Sequence, residues 1–184
     1  GLSTRTGFLD LRLRMNGGKQ STLNGALEAT RTFLAQAAAA RTRDELNALP
    51  AVLAGPVVRI PGGLMLPEAI LVIDVMAVQV IDGKARLVVG EVKTYPDRGG
   101  FTDASELATA RAQAGVYVHG LRLVLDELQL ADKLPVCNEG FLVLTRPGFN
   151  RPSVRAGESL EYQAQRAERG FAKLRVVAAE LGGS

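Results

Sequence analysis

The sequence predicts an α/β fold in which a mixed central sheet is flanked by helices. Three observations carry that prediction. Two apolar, β-branched runs, LVIDVMAVQV and ARLVVGEVK, flank Asp82-Gly83, the strongest short-range signal for a tight hairpin turn. Helical periodicity brackets this hairpin on both sides, over residues 21–43 and 159–181. After a second helical stretch, residues 140–145 (GFLVLT) read as one more buried strand. The resulting order is helix, short strand, hairpin, helix, strand, helix, that of an α/β sandwich.

Taken in chain order, residues 2–19 contain the alternation FLDLRLRM, with Leu9, Leu11 and Leu13 on one face, as in a half-buried edge strand ended by Asn16-Gly17-Gly18. Residues 21–43 form a helix with Leu23, Leu27, Thr30, Leu34 and Ala37 as its apolar stripe and Glu28 on its flank. A connection over 47–56 leads to a short strand, 57–60, stopped by Pro61-Gly62-Gly63. Glu68 precedes the hairpin and is an end-of-strand charge. Six strand residues put it about 20 Å from Asp74. Residues 94–100 form a glycine-rich loop, and Asp103 with Glu106 begins a helix in capping-box spacing. Gly115 inside that helix costs about 1 kcal/mol against alanine and is expected to mark a close approach to the hairpin. Residues 147–157 read as a loop, and the last helix carries Leu160, Ala164, Ala167, Phe171, Leu174, Ala178 and Leu181 as a stripe.

With 184 residues and 47% hydrophobic content, the chain can bury a core and is expected to be one domain, its core over about 21–146 and its C-terminal helix over 159–181. The lone Cys137 excludes an intramolecular disulfide, a four-cysteine iron–sulfur cluster and a four-cysteine zinc site. The lone His119, expected on a helix flank, excludes a multi-histidine metal centre. No apolar stretch reaches the roughly 20 residues of a membrane span, so no membrane partner is expected. The chain opens on Gly1 without a signal-like segment, as expected of a trimmed chain or of a domain cut from a larger protein, and a cytoplasmic location is expected. A net charge of +3 is modest, but between 146 and 175 seven basic residues (Arg146, Arg151, Arg155, Arg166, Arg169, Lys173, Arg175) face three acidic ones (Glu158, Glu161, Glu168). Arg166, Arg169 and Lys173 are candidate phosphate contacts, with a solvated helix face as the alternative.

The chemistry concentrates in the hairpin. With Asp82-Gly83 as its turn, Asp74 falls opposite Glu91, and side-chain alternation puts Lys93 on the face of Glu91 about 7 Å further along. Two opposed carboxylates in an apolar sheet repel, and each costs several kcal/mol when removed from water unless paired or bound to a cation. A divalent ion such as Mg²⁺, which takes oxygen ligands at about 2.0–2.1 Å, resolves the conflict and leaves positions for water and phosphate. A buried ion pair of Lys93 with Asp74 or Glu91 resolves it as well.

Asp74 followed by Glu91-Val92-Lys93 resembles the metal-binding hairpin of the PD-(D/E)xK nuclease superfamily. Gln113-Ala114-Gly115-Val116-Tyr117 is similar to the Gln-x-x-x-Tyr helix of its RecB-like members. The resemblance covers roughly residues 71–125 and implies a restriction-endonuclease-like αβββαβ core. It implies Mg²⁺ or Mn²⁺ held by Asp74, Glu91 and the main-chain carbonyl of Val92, with Glu28 as a further candidate ligand. Lys93, Gln113 and Tyr117 complete the implied catalytic set. The implied activity is metal-dependent hydrolysis of nucleic acid, DNA before RNA, in repair, CRISPR systems or phage defence, with protein partners or flanking domains. The missing cysteines depart from relatives that carry an iron–sulfur cluster. For Glu28 the alternative is a solvated helix charge, for Gln113 a surface residue, for Tyr117 a core aromatic. For the whole chain it is a catalytically silent module that retains the fold and binds nucleic acid or protein.

Overall fold

The computed structural model describes residues 5–12, 15, 16, 19, 20, 22–62 and 68–182. Six strands form the main sheet in the order β1 (Phe8–Asp10), β4 (Val52–Ala54), β7 (Val75–Ile81), β8 (Lys84–Pro96), β9 (Glu139–Thr145) and β10 (Ser153–Ser159). The pairs β1–β4 and β8–β9 are parallel and the rest antiparallel, so the sheet is mixed. Two small sheets pair β2 (Met15–Asn16) with β3 (Lys19–Gln20) and β5 (Val57–Ile60) with β6 (Ala69–Val72). Four helices are seen among the described residues: α1 (Leu23–Ala39), α2 (Arg43–Ala48), α3 (Ala104–Glu127) and α4 (Glu161–Gly182). The elements α1, β4, β7, β8, α3 and β9 follow one another as α, β, β, β, α, β, but the short strand expected over 57–60 is β5, which lies outside the main sheet, and β4 takes the place beside the hairpin.

One apolar cluster joins the helices to the sheet. Phe33, Leu34 and Ala37 of α1, Ala114, Val118 and Leu121 of α3 and Ala164 of α4 meet Leu53, Met76, Val78, Leu87 and Val89. Each fully buried side chain of this size stabilises the fold by roughly 1.5–3 kcal/mol. Thr30 sits in the α1 stripe because its hydroxyl is satisfied twice, donating to Ala26 O at 2.8 Å and accepting from Val57 N at 3.0 Å, which ties α1 to β5. Leu23, the first residue of the expected stripe, is exposed instead.

Several boundaries differ from the sequence expectation, each for a tertiary reason. The first helix stops at Ala39, a separate α2, opened by a Thr42–Glu45 capping box, runs from the end of the expected helix to the start of the expected connection, and that connection holds β4. The edge strand expected over 2–19 reduces to β1 and the β2–β3 pair, and Leu13, Gly17 and Gly18 lie outside the described residues. The loop expected from Thr94 begins later, because β8 runs on to Pro96 beside β9. The loop expected over 147–157 gives way to β10, held to β9 through a bulge between Arg155 and Glu158. Strands β1 and β10 thus extend the sheet beyond 21–146 at both ends. In α4 only Ala164 is buried, and Leu174 and Leu181 of the expected stripe are exposed. Gly115 approaches α4, not the hairpin: a Cβ there would lie 2.5 Å from Gln163 Cβ and 2.9 Å from Ala164 N. His119 is buried against Phe171, ring centroids 5.4 Å apart, rather than placed on a solvated flank. Asp103 caps α3 one-sidedly, accepting from Ser105 N and Glu106 N.

Candidate active site

The β7–β8 register follows from the turn. Ile81 pairs with Lys84 around Asp82-Gly83, both at positive φ, and the same register runs to Val75 opposite Gly90. The expected first strand is nevertheless not continuous. Its front half, β6, pairs with β5 in a separate sheet, and its back half, β7, joins the main sheet. The partner strand breaks at the matching point, where Gly55 at φ +68° and Pro56 separate β4 from β5. Left-handed backbone of this kind favours glycine. Gly55 N donates to Asp74 O at 3.0 Å and Ile73 N donates to Pro56 O at 2.9 Å. Asp74 is therefore fixed at a bend, on the residue that would continue the ladder opposite Glu91.

Inward positions of β8 are Ala85, Leu87, Val89, Glu91 and Lys93, so Glu91 continues the row that builds the core. Its carboxylate is 0% exposed. Lys93 Nζ lies 2.6 Å from Glu91 Oε1, an ion-pair contact that is off the hydrogen-bonding direction, and neither Glu91 oxygen has a well-directed hydrogen bond. Burial pushes the Glu91 carboxyl above the usual range; the neighbouring Asp74 charge adds to this, and Lys93 and the Tyr117 hydroxyl oppose it. The Lys93 ammonium is held above its ordinary value, first by Glu91. Asp74 Oδ2 accepts from Val92 N at 2.9 Å, so Val92 enters the site through its N–H, with its side chain on the outward face.

From α3, Tyr117 is buried, and its hydroxyl is pushed up by desolvation and by the charges of Glu91 and Asp74. Gln113, one turn earlier, is exposed and donates from Nε2 to Tyr117 Oη at 3.3 Å. The fold thus brings together Asp74, Glu91, Lys93, Gln113 and Tyr117. It does not group Glu28 with them: that side chain is exposed on α1, and among the described residues no three His, Cys, Asp or Glu side chains form a metal-holding cluster. Arg166, Arg169 and Lys173 are exposed on α4, and no hydrogen bond or ion pair among the described residues ties them to the acidic pair.

Two features escape the sequence reading. A groove of about 280 Å³ at the carboxyl ends of β8 and β9 is lined by Val92 and Thr94 from the outward face of β8 and by Arg146, Phe149 and Arg151. Arg146 and Arg151 stood in the basic count, but only the Arg-Pro-Gly-Phe turn signal could have placed them here. A second cavity, about 760 Å³, lies over the outward face of the sheet at Ala77, Arg86, Val88 and Phe141 and contains none of the five site residues. Gly90 lets the Phe141 ring lie against that face, because a Cβ there would be 2.4 Å from the ring.

A buried carboxylate without directed hydrogen bonds, beside a second carboxylate, is a hard-oxygen donor set, and it fits Mg²⁺ or Mn²⁺ better than the softer metals that prefer sulfur and imidazole. No helix is long and apolar enough to cross a membrane among the described residues. No family model, no curated protein and no solved structure matches this chain.

Proposed function

We propose that the chain is a metal-dependent phosphodiesterase that hydrolyses nucleic acid, DNA in the first place. The observation that carries the reading is the wholly buried, undirected Glu91 carboxylate set against Asp74 and Lys93. Among the described residues, Lys93 and the Tyr117 hydroxyl offset the desolvation of Glu91, and a bound cation would add to them. Asp74 and Glu91 would hold Mg²⁺ or Mn²⁺, with the Val92 carbonyl as the third ligand. A divalent ion held there supplies charge against the scissile phosphate and makes water more acidic. Lys93, charged at ordinary pH, faces the developing negative charge on the phosphate. Tyr117 stays protonated and steadies the carboxylate of Glu91, and Gln113 fixes the Tyr117 hydroxyl. Arg166, Arg169 and Lys173 are proposed to lie along the phosphate backbone from α4.

The 2.6 Å contact of Lys93 with Glu91 also suits a second reading, a non-cutting nucleic-acid module in which that pair is purely structural. Incubation with plasmid and with oligonucleotides separates the two. The nuclease reading expects cleavage with Mg²⁺ or Mn²⁺, none with chelator, and none in Asp74→Asn or Glu91→Gln. Binding without cleavage in wild type under all metals tested selects the second.

A further inference from the structure

The parallel strands β8 and β9 end side by side, with Pro96 paired to Thr145, and Asp97 N donates to Thr145 O at 2.8 Å. Each strand is followed at once by a tight turn of the same composition, Arg-x-Gly-Phe: Arg98-Gly99-Gly100-Phe101 after β8 and Arg146-Pro147-Gly148-Phe149 after β9. In the first, Arg98 and Phe101 exchange both backbone hydrogen bonds, at 3.0 and 3.4 Å, and the two central glycines have φ of +68° and +93°. In the second, Phe149 N donates to Arg146 O at 3.2 Å, with Pro147 and then Gly148 at φ +78°, the residue pattern of a type II turn. Both geometries bring the first and fourth side chains together. The Arg146 guanidinium accordingly lies 4.1 Å from the Phe149 ring centroid.

Neither phenylalanine is used by the core. Phe101 is 82% and Phe149 63% exposed, a loss of apolar burial that folding alone does not explain. The first turn is also held in place. Ser153 donates to the Asp97 carboxylate, Gly100 N donates to the same carboxylate at 2.9 Å, and Arg155 reaches Gly100 O at 3.1 Å while paired with Glu158. Asp97 is the one acid in residues 96–102 and 145–152, and it is buried and satisfied. What remains at the surface is two aromatic rings with Arg98, Arg146 and Arg151, and of these Arg146, Phe149 and Arg151 line the groove at the ends of β8 and β9.

We infer that the paired Arg-x-Gly-Phe turns are a stacking platform for single-stranded nucleic acid, in which Phe101 and Phe149 each take the face of a base and Arg98, Arg146 and Arg151 take phosphates. Every base offers a π-face, and a single strand can splay its bases onto aromatic side chains, whereas a duplex keeps them stacked inside. The carboxyl ends of parallel strands are where α/β sheets present ligands. Three strand residues, about 10 Å, separate Lys93 from Pro96, so the platform lies within short reach of the acidic pair along the same strand. The inference rests on the nuclease reading for its polymer but not for the cut.

The test is fluorescence anisotropy of the whole chain with a labelled oligothymidylate and with a duplex of equal length, in Ca²⁺ and over a range of salt. Wild type is expected to prefer the single strand. Phe101→Ala and Phe149→Ala are each expected to weaken single-strand binding by about 5- to 100-fold with the salt slope unchanged, and Phe149→Trp to keep it. Arg98→Ala or Arg146→Ala is expected to flatten the slope of log affinity against log salt by roughly 0.7 each. Wild-type affinity in both Phe→Ala variants, preference for the duplex, or binding to anionic vesicles but not to oligonucleotide overturns the platform. Cleavage with unchanged binding in those variants overturns the platform alone. Platform behaviour without metal-dependent cleavage by wild type overturns the nuclease reading alone.

Discussion

Lys93 Nζ lies 2.6 Å from Oε1 of Glu91, a carboxylate with no exposed surface, while the lysine itself still reaches solvent. The desolvation falls on the acid. Burial raises the Glu91 pKa, so the stability tied to its protonation is fully present below the unfolded value of about 4.3 and is lost as pH rises through the folded value. Glu91→Gln removes that loss. Its melting temperature is expected to exceed that of wild type at neutral pH, with the difference closing below about pH 4. Equal or lower stability of the variant at pH 7 would show that the Lys93 pair outweighs the desolvation.

Asp74 has a structural duty as well as a charge, since its Oδ2 accepts the Val92 N–H. Asp74→Asn keeps an acceptor there and is expected to retain the fold, whereas Asp74→Ala loses the bond at a partly exposed amide and costs about 1 kcal/mol. Chemical denaturation of both variants measures the difference, and equal stabilities would remove the structural role.

Mg²⁺ or Mn²⁺ is expected to raise the melting temperature of wild type in a concentration-dependent way, by about 2.7 kcal/mol of stability at a hundred times the Kd. Asp74→Asn and Glu91→Gln should lose the response. Calorimetry that finds no divalent-ion binding at millimolar concentration, even with oligonucleotide present, defeats the metal-dependent reading.

Tyr117→Phe removes the hydroxyl that meets Gln113 and steadies Glu91 while keeping the ring in the core. Cleavage rate is expected to fall by roughly ten-fold or more while stability changes by about 1 kcal/mol. Because burial and the two carboxylates push the hydroxyl up, no rate change from its ionisation is expected at ordinary pH.

Gly115→Ala sets two magnitudes against each other. Alanine gains about 1 kcal/mol of helix propensity, but its Cβ would meet Gln163 and the backbone of Ala164 at 2.5–2.9 Å, and overpacking of this kind costs about 1–3 kcal/mol. Net destabilisation is expected in thermal melts. A stabilised variant would mean that α4 shifts away freely.

The sequence by itself determined the elements whose signals are local. Asp82-Gly83 fixed the β7–β8 register, β-branched runs marked the strands, and helical spacing put Gln113 and Tyr117 on one face. From that register alone came the juxtaposition of Asp74, Glu91 and Lys93, because side-chain alternation is a property of any extended chain. Tertiary structure decided what depends on partners distant in sequence. The bend that carries Asp74 exists because Gly55-Pro56 breaks the neighbouring strand, well upstream in the chain. β10 exists because β9 offers it an edge. Gly115 is required by α4, and the proximity of the Arg98 and Arg146 turns follows from two strands running parallel across an intervening helix. Those pairings are settled by which surfaces meet, and short stretches of sequence do not encode the identity of their distant neighbours.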